Sequence, residues 1–198
     1  MPKRYRDSCR KAFWQEVFQK EAEYLAEPLH GLREVLSVGC GPADVEGQLI
    51  RRGFKVTGLD VSQEALHAVP EGLRAVVGCA EELPFADRSF DAVIFVASLQ
   101  FVEDYRRAVV EAARVLRPAG RLIAMLLNPA SEFYRGKRAD PASYVNNLKH
   151  EDIRAIEKAV AERFRTETDY FLGIRDGTLV DSRDPVAAAL YVIRGDLR

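Results

Sequence analysis

One glycine-rich turn and one aspartate carry most of the chemistry that residue type and spacing suggest. Val35-Leu36-Ser37-Val38 runs into Gly39-Cys40-Gly41-Pro42-Ala43-Asp44, and Asp60 stands 21 positions beyond Gly39. Glycines at such a turn let the chain bend sharply and let a ligand approach the backbone. An acid about 20 positions on is what a ribose-binding α/β unit needs, because a carboxylate accepts from both ribose hydroxyls. The sixth position of G-x-G-x-x-G is Asp44 rather than glycine. A carboxylate at a helix N-terminus crowds and repels a pyrophosphate, which disfavours NAD, NADP and FAD. The pattern G-x-x-x-x-G-K-[ST] does not occur, so ATP is not held by a P-loop. A phosphate-free nucleoside with a positive centre tolerates acidic surroundings, and S-adenosyl-L-methionine is such a ligand.

The elements that must position these residues are read from periodicity. Trp14, Val17, Phe18, Ala22 and Leu25 make one face of a helix over residues 8–25, which places Trp14 in the core stripe. Strands are expected at 34–38, 55–59, 73–77, 91–96 and 121–127. Helices fall between them at 44–52, 63–69 (with Ser62 as N-cap) and 104–116. A further helix carries Ile153, Ile156, Val160 and Phe164, and two strand candidates follow at 168–174 and 187–193. Strands alternating with helices imply right-handed βαβ units. The fold class is therefore α/β, a Rossmann-like, seven-stranded, mostly parallel sheet with helices on both faces and a C-terminal antiparallel hairpin. The 198 residues are expected to form one domain. Its parts are an N-terminal helical cap (1–31), a cofactor-binding core (34–127), a lid-like insertion (128–149) and a last helix with the hairpin (150–198).

Four segments in order resemble the class I S-adenosylmethionine-dependent methyltransferases. They are Val35 to Gly41, Arg52-Gly53-x-x-Val56-x-Gly58-x-Asp60-x-Ser62, Gly78 to Phe85 with Ser89 to Val93, and Ala113 to Leu122. The likeness covers roughly 34–127 and is nearest the small-molecule branch typified by ubiquinone and menaquinone biosynthesis enzymes. It implies that Gly39, Cys40 and Gly41 wrap the methionine end of the cofactor, Asp60 holds the ribose, and Val61 packs on adenine. It places Cys79, Ala80 and Glu81 at the adenine edge, and Ser98 with Leu99 toward the methyl group. The chain departs from the family pattern at Ser37, Ala43 and Cys79, and lacks the histidine many members carry near Gln100 or Phe101. An acid that helps hold the cofactor's amino group is usual where Ser37 stands, glycine where Ala43 stands, and aspartate where Cys79 stands. Asp44 is expected to supply the charge missing at Ser37.

No obligatory catalytic residue is expected, since methyl transfer from a sulfonium needs mainly alignment and exclusion of water. Ser98 and Gln100 are the candidates, with Gln100 also read as orienting the substrate. Tyr134 and Arg135 belong to a cationic, aromatic stretch that is either a substrate-facing lid or a solvated loop. Tyr5, with Phe13 and Trp14, is the candidate for closing the pocket from the other side. His30, His67 and His150 lie far apart, and Cys9, Cys40 and Cys79 form no C-x-x-C, so neither a metal site nor a disulfide framework is expected. A redox pairing of Cys40 with Cys79 is the less favoured reading of those two.

With 29 basic and 30 acidic residues the net charge is −1, which offers no general attraction to nucleic acid or anionic lipid. No apolar run is long enough to span a membrane. The expected partner is a small-molecule acceptor, with no nucleic acid and no membrane. The expected location is cytoplasmic, as a monomer or homodimer. The alternative reading is a non-catalytic S-adenosylmethionine-binding or regulatory protein on the same fold. A nucleotide-dependent oxidoreductase is the third, which Asp44 argues against.

Overall fold

Short apolar, β-branched runs buried residue after residue build the centre of the molecule. The computed structural model describes residues 11–175 and 177–198. Five strands pair in parallel: β1 (Glu34–Val38), β2 (Lys55–Asp60), β3 (Arg74–Val77), β4 (Phe90–Val96) and β5 (Leu116–Leu127). Three more, β6 (Phe164–Arg175), β7 (Thr178–Val180) and β8 (Ala188–Leu197), are antiparallel. The order across the sheet is β3-β2-β1-β4-β5-β8-β6-β7. The expected hairpin is present as β6 and β8, with β8 inserted beside β5. The sheet has eight strands rather than seven, because the short edge strand β7 pairs through only three residues and lacks an apolar run that would announce it.

Both faces are covered, as parallel sheets require. Leu36, Val38, Val93, Phe95, Leu122 and Ala124 bury on one face with α3 (Tyr105–Val115) and α5 (Ile153–Ala161). Val35, Ala92, Ile94, Ile123 and Met125 bury on the other, beneath α1 (Ala12–Ala26) and α2 (Asp44–Arg51). Asp104 and Asp152 cap α3 and α5 by accepting from Arg107 N and from Arg154 N and Ala155 N.

The region expected as helix 63–69 is only a 3₁₀ turn, Ala65–Ala68, although Ser62 Oγ accepts from Ala65 N at 3.2 Å as a cap would. The segment expected as a polar insertion, 128–149, contains α4 (Glu132–Arg138) and a 3₁₀ turn, Tyr144–Asn147. Fully buried Asn128 ties this segment down by donating to Pro185 O and Ala188 O at 2.7 and 2.8 Å. Among the described residues, no helix is long and apolar enough to cross a membrane.

Candidate nucleoside-binding site

The strand order reverses between β1 and β4, and ligands of open α/β sheets bind beyond the strand ends at such a point. Here the chains after β1 and β4 approach so closely that a Cβ on Gly39 would lie 2.6 Å from Ser98 Cβ. Gly39 also has φ +74°, so glycine is required twice over. Ser98 Oγ donates to Val38 O at 2.6 Å and locks the two strand ends together. Gly41 and Ala43 follow with φ 54° and 62°. Left-handed backbone at Ala43, where glycine is usual in the resembling family, costs about 1 kcal/mol. Ala97 after β4 and Leu172 in β6 are strained in the same sense and line the same cavity. Arg88 and Ala119, also at positive φ, lie away from the cavity.

That cavity has a volume of about 620 Å³. Its edge runs across the sheet from Cys79, Ala80 and Glu81 after β3, through Asp60 and Val61 after β2, to Gly39, Cys40 and Gly41 after β1 and Ser98 after β4. Every residue expected at the nucleoside therefore lies on one wall, except Leu99, which is buried in the core. Asp60 Oδ2 accepts from Gly41 N and Oδ1 from Ser62 N, each at 2.8 Å. Two of the roughly four acceptor positions of the carboxylate remain for a ligand diol. Val61 is 72% exposed and offers a bare apolar face beside it. Glu81 Oε1 accepts from Glu103 N and Asp104 N and so fastens the loop after β4.

The cavity's other half is apolar: Trp14, Phe18, Phe101, Phe133, Tyr144 and Ile174. Trp14 is half-buried on this wall rather than in the core, edge-on to Phe133 and stacked on Phe18. The helical stripe containing Trp14 was real, but one end of it faces the cavity. Tyr134 and Arg135 do not reach the cavity. Successive helix residues turn by about 100°, so α4 presents Phe133 inward, packs Tyr134 into the core, and lets Arg135 Nη1 return to Ala130 O. Tyr5 lies outside the described residues.

Gln100 is also absent from the cavity wall. It is fully buried; its Nε2 donates to Leu127 O at 3.1 Å and its Oε1 accepts from Leu127 N at 2.7 Å. Its own carbonyl accepts from Lys149 N and His150 N, bringing the segment after α4 back to the sheet. Gln100→Ala is expected to lower unfolding free energy by about 2 kcal/mol, because Leu127's N–H and C=O are left buried and unpaired. Urea denaturation reads that loss, and ligand affinity should move little. Lost affinity at unchanged stability would restore Gln100 as a contact residue.

Among the described residues, six carboxyl side chains line the cavity (Glu21, Asp44, Glu46, Asp60, Glu81 and Glu103) against one cation, Lys149, which pairs with Glu103. That balance opposes a phosphate-bearing ligand and favours a neutral or cationic one. Glu46 and Glu21 escaped the reading of the sequence, although each breaks an apolar helical face: Glu21 between Phe18 and Leu25, Glu46 between Val45 and Leu49. Glu46 Oε1 accepts from Ser37 Oγ at 2.5 Å. Glu46 is thus a carboxyl buried against Ser37, while Asp44 Oδ1 accepts from Gln15 Nε2. Burial pushes the Glu46 carboxyl up to about 7, and burial with Glu46 nearby pushes Glu21 up to about 8. Burial, with Glu46 and Asp60 adding, pushes the Cys40 thiol up, so it stays protonated and unreactive. Cys40 and Cys79 are both free.

Fold and site together define a Rossmann-like domain with a candidate nucleoside edge opening on an apolar chamber. Residues 36–124 match the family described as "Methyltransferase domain". The chain is 37% identical over 110 residues to a demethylmenaquinone methyltransferase of Thermotoga maritima, covering 52% of this chain and 48% of that one. It is 35% identical over 133 residues to a phthiotriol/phenolphthiotriol dimycocerosates methyltransferase of Mycobacterium tuberculosis, covering 63% and 49%. The chain spans about half the length of these curated relatives. A crystal structure of a SAM-dependent methyltransferase from Thermotoga maritima superposes with TM-score 0.80 over 98% of this chain and 97% of that one, at 22% identity, which attests the fold. In sequence the likeness to methyltransferases covers residues 36–124, and the described chain shares the fold of the solved one.

Proposed function

We propose that this chain binds S-adenosyl-L-methionine and transfers its methyl group to a small, largely apolar acceptor. The observation that carries the reading is the junction of two unlike walls in one cavity: an acid-rich nucleoside edge meeting an aromatic chamber at Gly39 and Ser98. The residues fit the cofactor. Val61 offers an apolar face to adenine, Asp60 two free acceptor positions to the ribose diol, and Gly39 to Gly41 a backbone wall with little side chain in front of it. The cofactor supplies an electrophilic methyl group on a positive sulfur. The protein's part is alignment and exclusion of water, and alignment is worth roughly 7–11 kcal/mol of barrier. Trp14, Phe133 and Tyr144 keep the acceptor side dry, and the Asn128 and Gln100 bonds hold their segment in place. The two curated relatives are named for small-molecule acceptors, which supports the same class here. In this reading the protein works in the cytoplasm, without nucleic acid, as a monomer or homodimer.

Calorimetry with S-adenosylmethionine, S-adenosylhomocysteine and NAD tests the reading, followed by turnover on a metabolite extract read as a methyl mass shift. The expected result is binding of both sulfur nucleosides, none of NAD, and a methylated product. Failure to bind either sulfur nucleoside overturns the proposal. Binding without turnover would favour the non-catalytic alternative.

A further inference from the structure

We infer that Glu21 and Glu46 together form the seat for the α-ammonium group of the bound S-adenosyl compound, with Ser37 as its anchor. This rests on the binding reading above. Glu21, on α1, is 6% exposed, lines the cavity, and has no hydrogen bond or ion pair among the described residues. Glu46, on α2, is 2% exposed, lines the same cavity, and is held by Ser37 Oγ. The charged groups that act on the pair are all acidic: Asp44 at the start of α2 and Asp60 at the end of β2, besides each other, with the Cys40 thiol of the loop beside them. Buried carboxyls are normally paired with a cation or hydrogen-bonded in full. Among the described residues no cation pairs with either carboxyl, and Glu21 lines the cavity without a partner.

The order of residues along the wall decides which cation that is. Cys79, Asp60 and Gly39 follow β3, β2 and β1 in turn across the sheet. Adenine at Val61 and ribose at Asp60 bring the amino-acid end to the Gly39 loop. Ser37 lies two residues before that loop, and Glu46 two residues after the start of the helix that follows it. The apolar chamber that takes the acceptor lies toward Phe101, Phe133 and Tyr144. The S-adenosyl compound has one ammonium, and it falls at the pair. The site thereby takes over, from two helices, a charge that strand β1 does not carry at Ser37.

The test compares S-adenosylhomocysteine with 5′-methylthioadenosine, which keeps the nucleoside and thioether but lacks the amino-acid end. Calorimetric titrations are run on the wild type, Glu21→Gln and Glu46→Gln, with thermal melts confirming that each variant is folded. Each variant should lose about 10- to 100-fold in affinity for S-adenosylhomocysteine and less than about 2-fold for methylthioadenosine. Binding of S-adenosylhomocysteine to the wild type near pH 7.5 should also release protons, read from the dependence of the heat on buffer ionisation, and each variant should release fewer. Equal losses for both ligands, no loss for either, or an effect confined to acceptor KM would overturn the inference while the binding reading stands. A wild type that binds neither ligand would defeat the binding reading and this inference with it.

Discussion

Asp60→Ala is expected to weaken binding of S-adenosylhomocysteine by two to three orders of magnitude. The carboxylate has two tasks at once. It receives Gly41 N and Ser62 N, which sets the loop after β1 against the end of β2. Its remaining acceptor positions face the cavity, where in the proposed reading a ribose diol takes them. Hydrogen bonds to a charged group contribute about 1.5–3 kcal/mol each. Losing two to the ligand comes to roughly 3–6 kcal/mol before any loosening of the loop, and water filling the gap returns part of it. Asp60→Asn keeps an acceptor for only one side of the diol and should lose about 10-fold. Isothermal titration of both variants, with melting temperatures as the folding control, measures the effect. A change of less than about 3-fold in Asp60→Ala would remove Asp60 as the ribose ligand.

The ligand-free protein should lose stability as pH rises from about 4.5 to about 8, by on the order of 8 kcal/mol if both shifts act in full. Glu21 and Glu46 ionise near the ordinary value of 4.5 in the unfolded chain, but near 8 and 7 when folded. Between those values the folded state holds the extra protons. The stability contribution is therefore whole below about 4.5 and is lost as pH climbs through 7 and 8. Glu111 acts in the opposite direction: Arg114, bonded at 2.7 Å, holds its carboxyl below the usual range, so its contribution is lost as pH falls. Urea unfolding at pH 5, 6.5 and 8.5 should show the decline in the wild type. In Glu21→Gln it should be much flatter, with the variant the more stable at pH 8.5. Parallel pH profiles in the two proteins would show that Glu21 ionises normally. Saturating S-adenosylhomocysteine should stabilise the wild type most at high pH, where both carboxylates are charged and lack a cation.

Much of the site was legible because its parts are local. Gly39 to Gly41 must be glycine-rich wherever a strand turns into a helix under a ligand, and Asp60 follows at the spacing one βαβ unit imposes. Cys79, Ala80, Glu81 and Ser98 follow strands whose apolar runs are plain in the chain, so their placement on one edge follows from sheet topology. The acceptor half was not legible in the same way. A polar helix with a small apolar content, such as α4, has no stripe to set its phase. Phe133 therefore faces the cavity where Tyr134 and Arg135 were expected. Gln100 stands at the right place in the chain for a substrate contact, and only its pairing with Leu127 shows that its amide is already engaged.

By itself the sequence determined the α/β class, the glycine loop and the placing of Asp60 one βαβ unit beyond it. Each is a matter of residue type at short separation, where backbone geometry leaves few alternatives. Tertiary structure alone decided that Ser37 meets Glu46, that Glu21 of α1 is buried with no cation among the described residues, and that Trp14 forms cavity wall. Helix α1 and the segment 128–149 are joined to that cavity by long-range packing, and packing fixes the rotation of a helix through contacts that no local pattern records.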